Sequence, residues 1–520
     1  MSKNYKKIVV AALCLIMVFV FAACQKAIKG GDPNADVYGN GSLVVRQGNY
    51  LYFVNGMTTA EEAVAATAKK YSGAVKGAIL RAELGADGNV KVDADGNITN
   101  VETIVPQALF TSYTEGGLYI FGEWIYYVTP NASLDKSGGS LTHQVIVMRT
   151  KIDGTKTKKI ATIKLSTTDS TSFKYKVTKD SFIYLEGTVL KKIDLSKSFK
   201  TTTIAEDVSN FIIPKNLPAY KVNDTAEIYD VIFTVNSDEK VTSLTHNEIK
   251  ATNGNNTVTL LSGKAYFTSG DWIDNLDKIY NYTPYSAYYE GSDLVLYTGK
   301  TKLSGSGNNV DQGAFAYKFE SANSYAFNLS KTANVKWLSA TALSATLTPL
   351  GFATGVLYND TALRYYKGAV ASTVPEGDFD NYLNANAKAL KVYYTTADVR
   401  YIQNTAAGQY DIFYITSTSG GALKKGFLDL NVGAADDDDF VKSGNEQTLI
   451  TVGVVASWFV PVFDGGYIYF INSENYNYIY RASLTLTDGY ISKNEGFVRI
   501  GKFTDADQKA YDVREAAKEK

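Results

Sequence analysis

The sequence predicts an all-β chain folded as a β-propeller of seven or eight blades. Three observations carry that prediction. Short apolar, aromatic-rich stretches recur along the chain, mostly 30 to 75 residues apart. The clearest of them is apolar on both faces. The composition, with 45% hydrophobic residues, 38 Tyr and only 9 Pro, favours folded β structure over disorder. At 520 residues the chain can bury a large core, and four-stranded blades of ordinary size fit seven or eight times into it. A short helical insertion near the N-terminus and a helical C-terminal tail complete the expected fold.

The first 23 residues read as a targeting segment. Lys3, Lys6 and Lys7 precede an uninterrupted apolar run from Ile8 to Ala23, which is short for a membrane span and suits a signal peptide. The run ends in Phe21-Ala22-Ala23-Cys24, which resembles a bacterial lipobox. That resemblance implies cleavage before Cys24 and lipidation of its thiol, hence an extracytoplasmic protein anchored to a bacterial membrane. The only other cysteine, Cys14, lies in the removed segment, so the mature chain has no disulfide, Cys-based zinc site or Cys nucleophile downstream. Without residues 1–23 the chain holds 49 Lys and Arg against 53 Asp and Glu. That net charge near −4 gives no electrostatic footprint for nucleic acid or anionic lipid, so membrane attachment is expected to come from the lipid on Cys24.

Residues 24–42, Gly- and Asn-rich, read as the lipidated Cys and a flexible tether. The propeller is expected over 43–503, and its first blade opens with Tyr50-Leu51-Tyr52-Phe53-Val54. Thr59-Ala60-Glu61-Glu62 then caps a helix through about Tyr71. Asp87–Asn89 and Asp95–Asn97 are turn signals. The second departs from a calcium loop because the sixth position, which must be Gly, is Ile98.

The central stretch runs from Gly122 to Ile163. Trp124 to Val128, Val145 to Ile152 and Lys159 to Ile163 are three strands, the last two joined by the Asp153-Gly154 turn. Trp124 and Tyr126 point to one face and Ile125 and Tyr127 to the other. A sheet apolar on both faces is covered on both, as a propeller blade is. Ser181 to Leu185 with Val189 to Leu195 is a looser copy. Further strands are expected at Glu227–Phe233, Lys264–Phe267, Asp293–Tyr297, Gly355–Tyr358, Tyr410–Ile415 and Gly466–Ile471. Residues 504–520 read as a charged helical tail.

The pattern Gly-x-Trp-Ile-Tyr-Tyr, a polar loop, an apolar strand ending in Arg or Lys, then Ile-Asp-Gly-Thr resembles bacterial β-propellers of the YWTD type. These are relatives of the low-density-lipoprotein-receptor propeller, and many sit on surface lipoproteins of unknown function. Asp464–Asn472 with Tyr478–Arg481 is a second, looser match, and no YWTD tetrapeptide is present. The resemblance implies a fold and supplies no catalytic residues.

Motifs for chemistry are sparse. His143 and His246 stand near no nucleophile motif, and Gly299-Lys300-Thr301 lacks the first Gly of a phosphate loop. No cofactor is expected. Asp436, Asp437, Asp438 and Asp439 are a weak metal candidate, since neighbours in sequence cannot all converge on one ion without a defined loop. Trp272, Tyr280, Tyr282, Tyr285 and Tyr288, interleaved with Asp and Asn, are the candidate ligand-binding residues, read as an aromatic loop face. Inter-blade packing in a Tyr-rich chain is the competing reading of those rings. The expected function is a non-catalytic binding or scaffolding module, monomeric, for a protein or carbohydrate partner. The alternative is a propeller-type glycoside hydrolase or lyase acting on extracellular glycans, because paired carboxylates are invisible to spacing.

Overall fold

A computed structural model describes residues 30–501, Lys509, Val513, Ala516 and Ala517. Within 30–501 it leaves out 57–75, 87–89, 92–93, 95–97, 107–113, 116, 131–143, 166–172, 197, 219–227, 242–243, 264–279, 303–312, 321–334, 340–346, 360–362, 367–368, 371–389, 393–397, 418, 432–446, 456–460, 465, 476 and 485–496. Cys24, the helical insertion and the strand expected at Lys264–Phe267 fall outside the described residues. The four described residues of the tail are helical and exposed.

The chain is a β-propeller, built from antiparallel sheets laid down almost wholly in sequence order. Blade 1 holds Val37–Tyr38, Val44–Gln47, Tyr50–Val54, Ile79–Glu83 and Val101–Val105. Blade 2 holds Tyr119–Phe121, Trp124–Pro130, Gln144–Lys151 and Thr157–Lys164. Blade 3 holds Phe173–Val177, Ser181–Glu186, Val189–Asp194 and Thr201–Ala205, with Thr114–Glu115 added in parallel on its first strand. Blade 4 holds Val208–Ile212, Val231–Val241, Leu244–Thr252 and Thr257–Ser262. Blade 5 runs from Tyr280–Glu290 through Asp293–Lys302 and Gly313–Phe319 to Val335–Ser339 and then Ala369–Val370, and blade 6 from Leu347–Gly351 to Leu390–Val392.

The last sheet has eight strands and divides in two. Asp398–Ala406, Gln409–Ile415, Ser419–Asp429 and Gln447–Val455 form blade 7. Val462–Asp464, Tyr467–Asn472, Tyr478–Ser483 and Phe497–Arg499 form blade 8. Only Val454 and Val455 pair across from blade 7, with Asn472 and Ile471. The packing confirms the division: Phe413, Ile415 and Leu423 share a core with Ile468, Phe470 and Tyr480. Two halves that pack face to face are separate layers.

Side-chain alternation then orders the ring. In blade 2, Ile125 and Tyr127 join the core shared with blade 1, while Tyr126 and Val128 join the one shared with blade 3. In blade 3, Phe182 and Tyr184 look back to blade 2 and Ile183 looks on to blade 4. The same parity separates Tyr289 from Tyr288 in blade 5, Val356 from Leu357 in blade 6, and Ile412 from Phe413 in blade 7. Period-two strands apolar on both faces leave no alternative to a stack of sheets. The stack closes on itself, because Tyr469, Ile471 and Ile479 of blade 8 share the core of blade 1. Eight blades are therefore present among the described residues. The Trp124–Ile163 strands and the Asp153-Gly154 turn appear as the sequence predicts, with Gly154 at φ 76°.

Among the described residues no strand is exchanged at the closure. Blade 1 is made from the beginning of the chain and blade 8 from its end, and the seam between them is side-chain packing plus an Arg46–Asp464 ion pair at 3.9 Å. Of the expected tether, the described residues from Val37 on are tied to blades 1 and 2. Asn40 binds Ile120 through both amide atoms, Gly41 N donates to Leu118 O, and Val37–Tyr38 pairs with Arg46 and Gln47. The polar residues that suggest a free linker are used up in backbone pairing.

Candidate functional site

The aromatic loop face expected between Trp272 and Tyr289 is corrected by the structure. Trp272 lies outside the described residues, as do Asp436, Asp437, Asp438 and Asp439. Tyr280, Tyr282 and Tyr288 are buried, and Tyr285 is half-buried, in the first strand of blade 5. Pro284 and Asn281 hid that strand from sequence reading. The register shifts between Pro284 and Ser286, so a bulge absorbs the proline and the strand continues. Gly299, in the facing strand, leaves room for the Tyr285 hydroxyl, which a Cβ there would meet at 2.2 Å. These rings are inter-blade core.

Three groups of buried polar side chains lie in the seams. Arg81, fully buried, reaches Glu102 Oε2 from Nε at 3.1 Å and from Nη2 at 2.6 Å, and donates to Ile152 O at 3.2 Å. It ties blade 1 to blade 2 while lying 4.4 Å over the Tyr50 ring. Between blades 3 and 4, Lys176 pairs with Asp230 at 3.7 Å and sits 5.2 Å over the Tyr119 ring. Burial pushes the Lys176 ammonium down and the Asp230 carboxyl up, each opposed by its partner. In blade 4, His246 is fully enclosed with both ring nitrogens unpartnered, and burial lowers its pKa, which keeps the imidazole neutral. Arg81, Lys176 and His246 are closed off from a substrate, whereas Glu102 keeps part of its side chain exposed.

The accessible constellation is at the seam of blades 2 and 3. In the blade 2 ladder Trp124 pairs with Lys151, Tyr126 with Arg149, and Arg149 with Lys158. Cross-strand and diagonal neighbours on one face therefore bring a Trp, an Arg and a Lys together. The Arg149 guanidinium lies 4.0 Å from the Trp124 ring centroid and 4.7 Å from that of Phe199 of blade 3. Lys158 Nζ is 4.9 Å from Phe199, and Lys151 Nζ is 5.8 Å from Trp124 and 2.7 Å from Glu123 Oε2. Arg149 meets Tyr126, whose phenol burial pushes up and the guanidinium partly restores. No carboxylate pairs with Arg149 among the described residues. Phe199 holds φ 53°, a left-handed conformation that is a genuine outlier for a bulky residue. That strain puts its ring on the Arg.

The surroundings are basic. From Gln144 to Lys200 the chain carries 13 Lys and Arg against 5 Asp and Glu, which leaves 39 against 48 elsewhere. A near-neutral total conceals this separation, which window-by-window counting reveals. An arginine held between two rings beside lysines can accept an acidic group without first breaking an ion pair. Among the described residues no three His, Cys, Asp or Glu stand close enough to hold a metal ion.

No family model and no curated protein matches the chain. Solved structures that resemble it include the β-propeller domain of the Trilobed protease from Pyrococcus furiosus, at 8% identity and TM-score 0.29, covering 80% of this chain and 96% of that one. A putative 6-phosphogluconolactonase from Bacteroides fragilis NCTC 9343 gives 8% identity and TM-score 0.34, over 91% and 98%. Dipeptidyl peptidase 4 from Porphyromonas gingivalis gives 9% and 0.37, over 93% of this chain and 62% of that one. With TM-scores this low, none of them carries an argument about this chain, and the propeller assignment stands on the seams described above.

Proposed function

We propose that the protein is an extracytoplasmic lipoprotein, anchored through Cys24, whose YWTD-like propeller acts as a non-catalytic binding and scaffolding module. Its partner is a protein or glycan that presents an acidic group to the blade 2–3 seam. The Arg149 stack carries this reading: a guanidinium fixed between Trp124 and Phe199, free of any described carboxylate, and half-exposed. Aromatic rings with an arginine at their centre are the usual energetic anchors of recognition surfaces. Lys176, Asp230 and His246, whose pKa values burial displaces, by contrast sit between blades, which supports binding over turnover.

The test is a screen of the purified full-length chain against extracellular proteins and acidic glycans, repeated with Arg149→Glu. Binding by the wild type that falls at least tenfold in the variant, with an unchanged melting temperature, is expected. Release of shortened sugars from any glycan would replace this reading with the hydrolase or lyase. For the anchor, Cys24→Ser is expected to lose lipid labelling and to leave the membrane fraction.

A further inference from the structure

We infer that the outer strand of blade 2, Thr157–Lys164, rests on the anionic lipid headgroups of the membrane that holds the protein, which fixes how the propeller stands on that membrane. The inference rests on the lipid anchor proposed above. It concerns other side chains than the Arg149 stack.

The strand and the turn before it carry Lys156, Lys158, Lys159 and Lys164 and no acid between Thr155 and Leu165. Lys156, Lys159 and Lys164 are exposed, and no ion pair engages them among the described residues. Register fixes their direction. Lys159 pairs with Met148 and Lys164 with Gln144, on either side of the bulge between Lys159 and Ala161. Met148 packs into the core shared with blade 1, so Lys159, Thr162 and Lys164 share the side that looks toward the blade 1–2 seam. The two lysines stand about 13 Å apart, four residues of strand.

Lysines on an exposed edge also guard against strand addition. That role alone does not account for them here. The outer strand of blade 3, Thr201–Ala205, is as exposed and reads Thr-Thr-Thr-Ile-Ala, and that of blade 4, Thr257–Ser262, carries no charge either. Among these neighbouring edges the lysines belong to blade 2.

The chain leaves toward its lipid at the same seam. Gly31 lies against the Tyr52 hydroxyl and Ile152, which a Cβ at this position would meet at 3.0 and 3.1 Å. Ile152 stands four residues before Lys156. Gly30 is six residues after Cys24, so even a fully extended chain covers at most about 22 Å between them. The blade 2 edge is therefore held close to the bilayer, and the acids of blade 1 beside it are engaged, Glu102 by Arg81 and Glu83 by Lys91.

The experiment uses the full-length chain, purified from membranes and mixed with vesicles of phosphatidylcholine alone or with phosphatidylglycerol added. Three lysines at about fivefold each predict a partition about 100-fold stronger to the anionic vesicles. The increment is expected to vanish near 1 M salt, where screening is complete within about 3 Å. Replacing Lys156, Lys159 and Lys164 together by Glu is expected to abolish it, and replacement by Arg to keep it. A fluorophore on Thr162→Cys is expected to be quenched by headgroup-labelled lipid in anionic vesicles only. Equal partition to both vesicles, or an increment surviving in the Glu variant, overturns the inference. So does capture by immobilised polyglutamate or polyuronate without a vesicle increment, which would give the edge to an acidic protein or glycan. Failure of the anchor is read separately, as loss of binding to phosphatidylcholine vesicles, and leaves the anionic increment measurable.

Discussion

Asp153 accepts from the backbone N–H and the hydroxyl of Thr155, and Asp194 does the same with Ser196. Asp429 accepts from Asn431 N, and Asn253 from Asn255 and Asn256. Asp153 and Asn253 lie in the turns between third and fourth strands of blades 2 and 4, and Asp194 and Asp429 end the third strands of blades 3 and 7. Asp153 and Asn253 are each followed by Gly, a turn signal legible in the sequence, whereas Asp194 and Asp429 are not. The common device is an acceptor two residues before the N–H it holds, and Ile193-Asp194-Leu195-Ser196 conceals it among apolar residues. Phe199 follows from the blade 3 copy. Its left-handed φ costs of order 1 kcal/mol that glycine would not incur, while its ring contacts contribute about as much. Phe199→Gly should thus change unfolding free energy by less than about 1 kcal/mol in urea titration, yet lose partner binding. A loss of several kcal/mol would make the ring a structural wedge.

At the scale of elements, seams decide stability. Lys176 and Asp230 join blades 3 and 4 with little access to water, and a buried pair broken on one side leaves an uncompensated charge. Asp230→Asn should cost about 3 to 5 kcal/mol, and adding Lys176→Met should recover most of it. Additive losses in that double-mutant cycle would show that the two ions do not depend on each other. The strands most legible in the sequence were second strands, such as Trp124–Pro130, Ser181–Glu186 and Tyr467–Asn472, covered on both faces and hence continuously apolar. First and fourth strands are mostly shorter or half-exposed, and outside Lys159–Ile163 of blade 2 and Phe497–Arg499 of blade 8 their mixed patterns carry little signal. Thr201–Ala205 and Thr257–Ser262 carry too few apolar residues to announce themselves. The first strand of blade 5 was misread as a loop because a bulge at Pro284 breaks the period without ending the pairing. The Arg149 stack was out of reach for another reason. It joins Trp124 to Phe199, 75 positions apart, and only the ring places them together.

For the whole molecule, the tyrosines that fill the seams set an alkaline limit. Burial pushes Tyr52, Tyr127 and Tyr469 up to about 12. Their folded pKa values are raised, so their contribution is fully present below pH 10 and is lost as pH rises through 12. Each costs about 3 kcal/mol once ionised, and three together rival the 5–15 kcal/mol of a typical fold (about 0.1 per residue). Above the gradual signal of exposed rings such as Tyr38, phenolate absorbance should therefore show a cooperative rise with loss of structure between about pH 10 and 12. Gradual titration of a still-folded chain would place these hydroxyls in water. Eight blades were legible only as a range, because the stretch from 305 to 400 lacks clear strands. The packing of Val356 and Leu357 into opposite seams resolves that region. The join without strand exchange has a kinetic meaning. Apart from the edge additions Thr114–Glu115 and Ala369–Val370, the strands of each blade follow one another in the sequence, so blades can form one after another as the chain is made. The last must then find the first across nearly the whole sequence, a contact of the highest order and the slowest to make. Until it does, the apolar faces of blades 1 and 8 stand bare, and during that interval the maturing protein is exposed to its own copies and to proteases.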